Sequence, residues 1–350
     1  MGERRLQQEI NAPLPLLDAH GQLVRPGWAR QPYWNYERQA IRAPRWRIKE
    51  WDYYSLFGDD GRFALTLTLA DLGYLGLAAV CYVDMESRFF HQVDALIPFP
   101  MGRLGLGPDS NSGRVQWANR DLALDFDYRP GARHLRFRAS RLRNARGDQG
   151  LEGEVVLRQA ADLQSMNIAT AWQENPRAFY YNRKINHLPA EGHMQIDKTG
   201  YTWNPERDFG ALDWGRGHWT YRNRWYWGSA SGWHEGHRLG WNIGYGFTDR
   251  TPASENTLFW DGIAHKLAEV EFHYNPRNYL EPWRFSSSDG RFEMSFAPAL
   301  DRKSHTHLGL IRSEQHQVFG HYSGRVVLDT GEVVQVARMA GFAEDVLNWW

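Results

Sequence analysis

The sequence predicts an all-β fold built as two antiparallel β-barrels in tandem. Three observations carry that prediction. Segments such as RFALTLTLA (62–70) and DLALDFDY (121–128) alternate apolar and polar residues with period two, as a strand with one buried face does. Turn sequences rich in Gly, Asp and Asn, among them GDDG, YRPGA and RNARGDQG, separate such segments at short intervals. No window before the C-terminal tail sustains a period of 3.6 residues. One barrel of about eight strands is too small for 350 residues, whereas two barrels split near residue 200 fit the length.

Residues 1–45 read as an extended arm. Pro13, Pro15, Pro26, Pro32 and Pro44 interrupt them, and Arg and aromatic side chains recur in GWARQPYWNYERQ. Strand signals then fill 46–200: an aromatic segment at 46–57, the alternating 62–70, a nearly continuous apolar run at 74–84, and further segments at 88–98, 114–118, 121–128, 134–139 and 151–158. A mixed stretch at 167–182 precedes short signals at 184–187 and 193–197. In 201–350, strands are expected at 238–248, 256–260, 265–274, 291–296, 306–311, 317–328 and 333–341. Asp261-Gly262 and the 329–331 stretch read as hairpin turns, with a bend at Gly324. The tail, 342–350, is the one segment expected to be helical, and it is short.

The totals exclude several classes of function. Lys plus Arg and Asp plus Glu both number 41, so a nucleic-acid or anionic-membrane surface, which needs a basic excess, is not expected. The single cysteine, Cys81, forbids an intramolecular disulfide and zinc sites built on Cys pairs. No stretch approaches the roughly 18 apolar residues of a membrane span, and the first residues lack a signal-peptide core. A reducing, cytoplasmic location is the simplest expectation. Mean hydropathy is −0.63 while aromatic residues make up 14%, so the apolar material is concentrated in rings.

The most distinctive stretch is FGALDWGRGHWTYRNRWYWGSASGW, 209–233, which holds five of the 17 tryptophans. From Trp219 the residues alternate. Trp219, Tyr221, Asn223, Trp225, Trp227 and Ser229 share one face, and Thr220, Arg222, Arg224 and Tyr226 the other. The strand is expected to follow a Gly-flanked turn, 210–217, carrying Asp213 and Arg216, and to turn its rings into a barrel cavity.

Five patterns, PLPLLDAHGQLVRPGWARQP, LDWGRGHWTYRNRWYWGSASG, ENTLFWDGIAHKL, HQVFGHYSGRVVLDTGEVV and GFAEDVLNWW, resemble the bacterial family known as domain of unknown function 2804. The resemblance runs from about residue 10 to the C-terminus. That family is related to the double-lipocalin proteins: carotenoid 1,2-hydratase, the AttH-like proteins and, more distantly, tocopherol cyclase. The resemblance implies two tandem lipocalin-like barrels and a hydrophobic small-molecule ligand. It implies a reaction only loosely, because a fold does not fix a function.

The chemistry expected from the residues is acid-promoted hydration, cyclisation or isomerisation of an apolar, unsaturated, isoprenoid- or polyketide-like substrate, with no cofactor. Asp213, beside Trp214, is the candidate proton donor, and His218 a second candidate acid/base. Arg216, Tyr221, Asn223, Trp225 and Trp227 are the candidate substrate-binding residues. Each has a structural counterpart: Asp213 and Arg216 as an ion pair pinning the turn, His218 as a cap, and the rings as ordinary core. No metal site is expected: His305 and His307 share a strand face without a third ligand, and HEGH (234–237) is one residue short of the helical zinc pattern. Ser229 to Gly232 lacks the strand–elbow–helix context of a nucleophile, and the Gly-rich GRLGLGP has no helix after it to bind phosphate. A non-catalytic carrier or sensor holding its ligand in one barrel, and a purely structural pair of barrels, are the alternatives.

Overall fold

The computed structural model describes residues 7–309 and 311–350. The fold is all-β: two curled antiparallel sheets form tandem lipocalin-like barrels, and the described residues contain no α-helix, only two 3-10 turns at Arg38–Ala40 and Arg45–Arg47. Among the described residues, no helix is long and apolar enough to cross a membrane. The first sheet, of 13 strands, takes in Ile48–Gly58 through Phe209–His218, and the second, of nine, runs from Arg222–His234 to Val333–Trp349. The chain crosses between them at 219–221.

The expected alternations form strands: Phe63–Asp71 pairs with both Ile48–Gly58 and Leu75–Asp84. Asp261 and Gly262 both take positive φ between Thr257–Trp260 and Ile263–Lys266, a two-residue hairpin turn. Three expectations are corrected. The tail is not helical, because GFAEDVLNW continues the long strand Val333–Trp349, paired on both sides. Its alternation of Phe342 and Glu344 against Ala343 and Asp345 serves two sheet faces. The 210–217 segment is not a turn either. Phe209–His218 is a strand inserted between Ile48–Gly58 and Asn175–Ile196. Its glycines mark close approaches: a Cβ at Gly215 would run into the Trp51 ring. The expected 306–311 strand is instead the end of a hairpin between Phe292–Leu308 and Ile311–Val327, with Leu310 outside the described residues. The arm is described from residue 7 and buries Ile10, Leu16, Trp28, Trp34 and Tyr36, with Gly27–Ala29 pairing to Met166–Trp172.

Each barrel interior is packed with side chains. Tyr54, Leu56, Leu65, Leu67, Val80, Phe126, Phe137 and Trp214 are among those filling the first, and Tyr226, Trp241, Ile243, Phe285, Phe296 and Tyr322 among those filling the second. The outer faces of the central strands, which solvent would cover in a lone barrel, bury each other. Tyr53 meets Trp227 at 5.7 Å and Phe57 meets Phe319 at 6.1 Å between ring centroids. Cys81, Leu300 and Phe342 complete this seam. A register shift in Asn175–Ile196, between Ile185 and Leu188, pushes Asn186 and His187 across it. The Asn186 amide donates to Ser229 Oγ at 3.0 Å and to the Trp241 carbonyl at 3.1 Å. Gly240 makes room, since a Cβ there would lie 2.6 Å from His187 Nε2. We therefore expect Gly240→Ala to lower stability by about 1–3 kcal/mol through overpacking, read as a lower urea midpoint at unchanged slope.

Candidate functional site

The seam carries a cluster of buried ionisable groups. On the first sheet, Asp213 and Lys184 are cross-strand neighbours. The Lys184 ammonium donates to Asp213 Oδ2 at 2.6 Å, and both side chains are buried. Asp213 Oδ1 accepts from the Asn182 amide at 2.6 Å and from the Trp51 indole at 3.0 Å. Three donors thus converge on Asp213, which is held as an acceptor. Lys184 also lies 3.6 Å from the centre of the Trp227 ring, a cation–π contact across the seam.

From the second sheet, Trp227 donates to Asn242 Oδ1 at 2.7 Å, and the Asn242 amide donates to the Glu255 carbonyl at 2.9 Å. Glu255 is buried, and that burial raises its pKa against the pull of Lys184. Glu344 lies on the outer face of Val333–Trp349. Gln317 donates to Glu344 Oε1 at 2.5 Å and to the Tyr53 hydroxyl at 2.9 Å, and Trp225 also hydrogen-bonds the carboxyl. Burial pushes the Glu344 pKa up to about 7, although Arg302 and Lys184 act to lower it. The seam therefore sets a fully paired carboxylate, Asp213, beside a carboxyl that keeps its proton near neutral pH, Glu344. Both sit under the rings of Trp51, Tyr53, Trp225 and Trp227.

The candidate residues named from the sequence divide as follows. Trp225 and Trp227 share a face, as their spacing requires, but that face looks toward the first barrel. The second barrel's interior is lined instead by Tyr226 and Ala230 from the same strand. Asp213 joins them in the seam. Arg216, three residues on, points to the other face of its strand. It pairs with Asp52 at 3.0 Å and donates to the Gly107 carbonyl, so no Asp213–Arg216 ion pair forms. His218 is five residues from Asp213 on one strand, roughly 17 Å away at strand rise. Its Nδ1 lies 3.0 Å from the Arg177 carbonyl, and burial lowers its pKa. Asn223 donates to the Thr220 carbonyl at 2.7 Å and accepts from the Thr220 hydroxyl, pinning the crossover. Tyr221 is half-buried there, its carbonyl accepting from the Trp350 amide at 2.8 Å. Lys184, Glu344, Gln317 and Asn242 were not singled out by the sequence.

The seam is closed. A cavity of about 10 Å³ at its edge touches Tyr180, Phe247 and Glu255. Thr248 and Arg250 separate it from an open groove of about 850 Å³ that Trp28, Trp172 and Lys266 help to line. Phe247, on the wall of the small cavity, is stacked on Trp219 at 5.3 Å and edge-on to Tyr180 at 4.7 Å.

The family model described as domain of unknown function (DUF2804) matches residues 7–350. The chain belongs to this family. No curated protein matches the chain by sequence. Among solved structures, CghA with Sch210972 is similar at a TM-score of 0.56 and 13% identity, covering 98% of this chain and 96% of that one. A candidate AttH protein from Nitrosomonas europaea is similar at 0.52 and 12%, covering 92% and 99%. At these identities the likeness establishes the shared double-barrel fold.

Two outcomes follow from the seam. Lys184→Met or Asp213→Asn alone should each cost about 3–5 kcal/mol, because each strands a buried partner, and the double variant should cost clearly less than their sum in chemical denaturation. Glu344 binds its proton more tightly folded than unfolded, so wild-type stability falls as pH rises from about 4.5 through about 7. Glu344→Gln should therefore gain stability over wild type at pH 8 relative to pH 4, by up to about 3 kcal/mol.

Proposed function

We propose that this protein is an enzyme that protonates a hydrophobic, unsaturated small molecule in the seam between its barrels, leading to hydration, cyclisation or isomerisation without an organic cofactor. The observation that carries the reading is Glu344: a buried carboxyl, raised to about 7, facing a wall of indoles. A proton donor works best with a pKa near the working pH. Asp213, named first from the sequence, is the less suitable acid because Lys184, Asn182 and Trp51 all donate to it. In this reading Asp213 and Lys184 shape the field of the site.

Glu344 gives its proton to one alkene carbon, whose π electrons form the new C–H bond. The cation left on the neighbouring carbon lies against Trp225 and Trp227, each worth roughly 0.5–2 kcal/mol when well placed. Water then adds and releases a proton, a second double bond attacks and closes a ring, or an adjacent proton leaves and the double bond moves. In the first and third cases, and after ring closure ends by proton loss, the released proton restores the Glu344 carboxyl. Substrate enters from the groove once the loop carrying Phe247 swings aside. A protein of the same fold solved with Sch210972 is consistent with a small-molecule ligand.

The test begins with mass spectrometry of an organic extract of the purified protein, followed by incubation of the recovered compound with fresh protein. Wild type should convert it, with kcat falling as pH rises above about 7, and Glu344→Gln should bind it with little change yet lose turnover by at least about a hundredfold. Phe247→Ala should speed its uptake. Recovery of the compound unchanged from wild type would favour the carrier, and full activity in Glu344→Gln would remove Glu344 as the donor.

A further inference from the structure

The first barrel holds two buried arginines that the seam chemistry does not use. Arg133 and Arg183 are 3% and 1% exposed, and they project inward from neighbouring parts of the sheet. Their described partners are all neutral. Arg133 donates to Gln159 Oε1 at 2.9 Å, to the Tyr54 hydroxyl at 3.4 Å and to the Ser110 carbonyl. Arg183 donates to Ser165 Oγ at 3.0 Å, Ser110 Oγ at 2.9 Å and Asn111 Oδ1 at 2.6 Å. Neither takes part in a described ion pair. Nearby Arg114 and Arg216 do, with Asp125 at 2.6 Å and Asp52 at 3.0 Å.

Two guanidiniums of like charge, sharing Ser110 and taken out of water, are an arrangement that an anion stabilises and neutral acceptors satisfy only in part. Burial, followed by the charge on Arg133, lowers the Arg183 pKa to about 9, so it still carries its charge at neutral pH. A cavity of about 90 Å³ lies at this mouth of the barrel, with Arg133, Tyr54, Tyr128 and Ser112 on its wall. At roughly 30 Å³ per water it holds about three waters, or one small oxyanion. Two carboxylates also face it, Asp52 and Asp109. Asp52 is spent on Arg216, and one Asp109 oxygen accepts from the Asn111 amide at 2.9 Å. That leaves Asp109, whose charge acts on Arg183 without a direct ion pair, as the single acid set against Arg133 and Arg183.

We infer that the cavity under the 105–113 loop is a binding site for a small oxyanion, a carboxylate or a phosphate, held by Arg133 with Arg183 behind it. The site is separate from the seam, and it stands whether or not the seam is catalytic. Guanidinium forks suit either oxyanion, and the two are told apart by experiment.

Thermal melts of the full chain at matched ionic strength, in chloride with added inorganic phosphate or with added acetate, read the site directly. Wild type should be stabilised saturably by one of the two, which assigns the class. Arg133→Gln should weaken that binding at least about tenfold, the effect of losing one charged hydrogen bond. Should Arg133→Gln not fold, Ser112→Phe fills the cavity from an exposed loop position and should abolish the stabilisation while leaving the unliganded melting temperature near wild type. Absence of saturable stabilisation by either anion overturns the inference, as does binding that survives the cavity-filling variant unchanged.

Discussion

The pair of Lys184 and Asp213 is the constraint around which the rest of the seam is arranged. Either charge alone would be costly to bury, several kcal/mol after relaxation. Together they are tolerated because Asn182 and Trp51 fill the remaining acceptor sites and the Trp227 ring faces the ammonium. The pair also acts on its buried neighbour Glu344, although burial is the largest cause of that group's raised pKa. Lys184 and Arg302 are the cations that bear on Glu344, while Asp213 adds a like charge that raises it. With the ammonium already committed to Asp213, burial outweighs the pull of the cations on Glu344 and favours its neutral form. The raised Glu344 carboxyl thus follows from its burial, which the nearby cations do not offset.

Much of this was legible in the sequence, and the failures are specific. Period-two alternation correctly put Trp225 and Trp227 on one face. It could not say which way that face looked, because Tyr226 and Ala230 on the opposite face are apolar as well. Arg222 and Arg224 mark that face as exposed at its start only, and beyond them, through Ala230, the strand is covered on both sides. Phe209–His218 was misread as a turn because glycine is depleted from strands. Its glycines are there because Trp51 and the Phe179 carbonyl come close. Glu344 was missed for a related reason. A helical 342–350 would not set Glu344 and Asp345 on opposite faces, as the strand Val333–Trp349 does. Lys184 was beyond reach on spacing alone, since it meets Asp213 through cross-strand register, 29 residues away along the chain.

The same outer faces that make the seam also draw buried polar groups out of the barrel interiors. In a lone lipocalin-like barrel the cavity lies inside the sheet. Here both interiors are packed, and the polar groups collect where two convex surfaces meet or at the barrel mouth. Membership of the DUF2804 family and the double-barrel likeness fix this scaffold, while the chemistry rests on the side chains placed upon it.

The order of strands in the first sheet has a consequence for biosynthesis. Phe209–His218 lies between Ile48–Gly58 and Asn175–Ile196 and bonds to both. Until it leaves the ribosome, a nascent chain would carry two unsatisfied sheet margins rich in aromatic residues, open to mispairing with other chains. At about 5–20 residues per second, translation from residue 58 to 218 would leave the Ile48–Gly58 margin open for roughly 8–32 seconds, and the later Asn175–Ile196 margin for a small fraction of that. The first barrel is thus completed by the segment that leads into the second, so the two halves cannot be acquired one after the other as independent units.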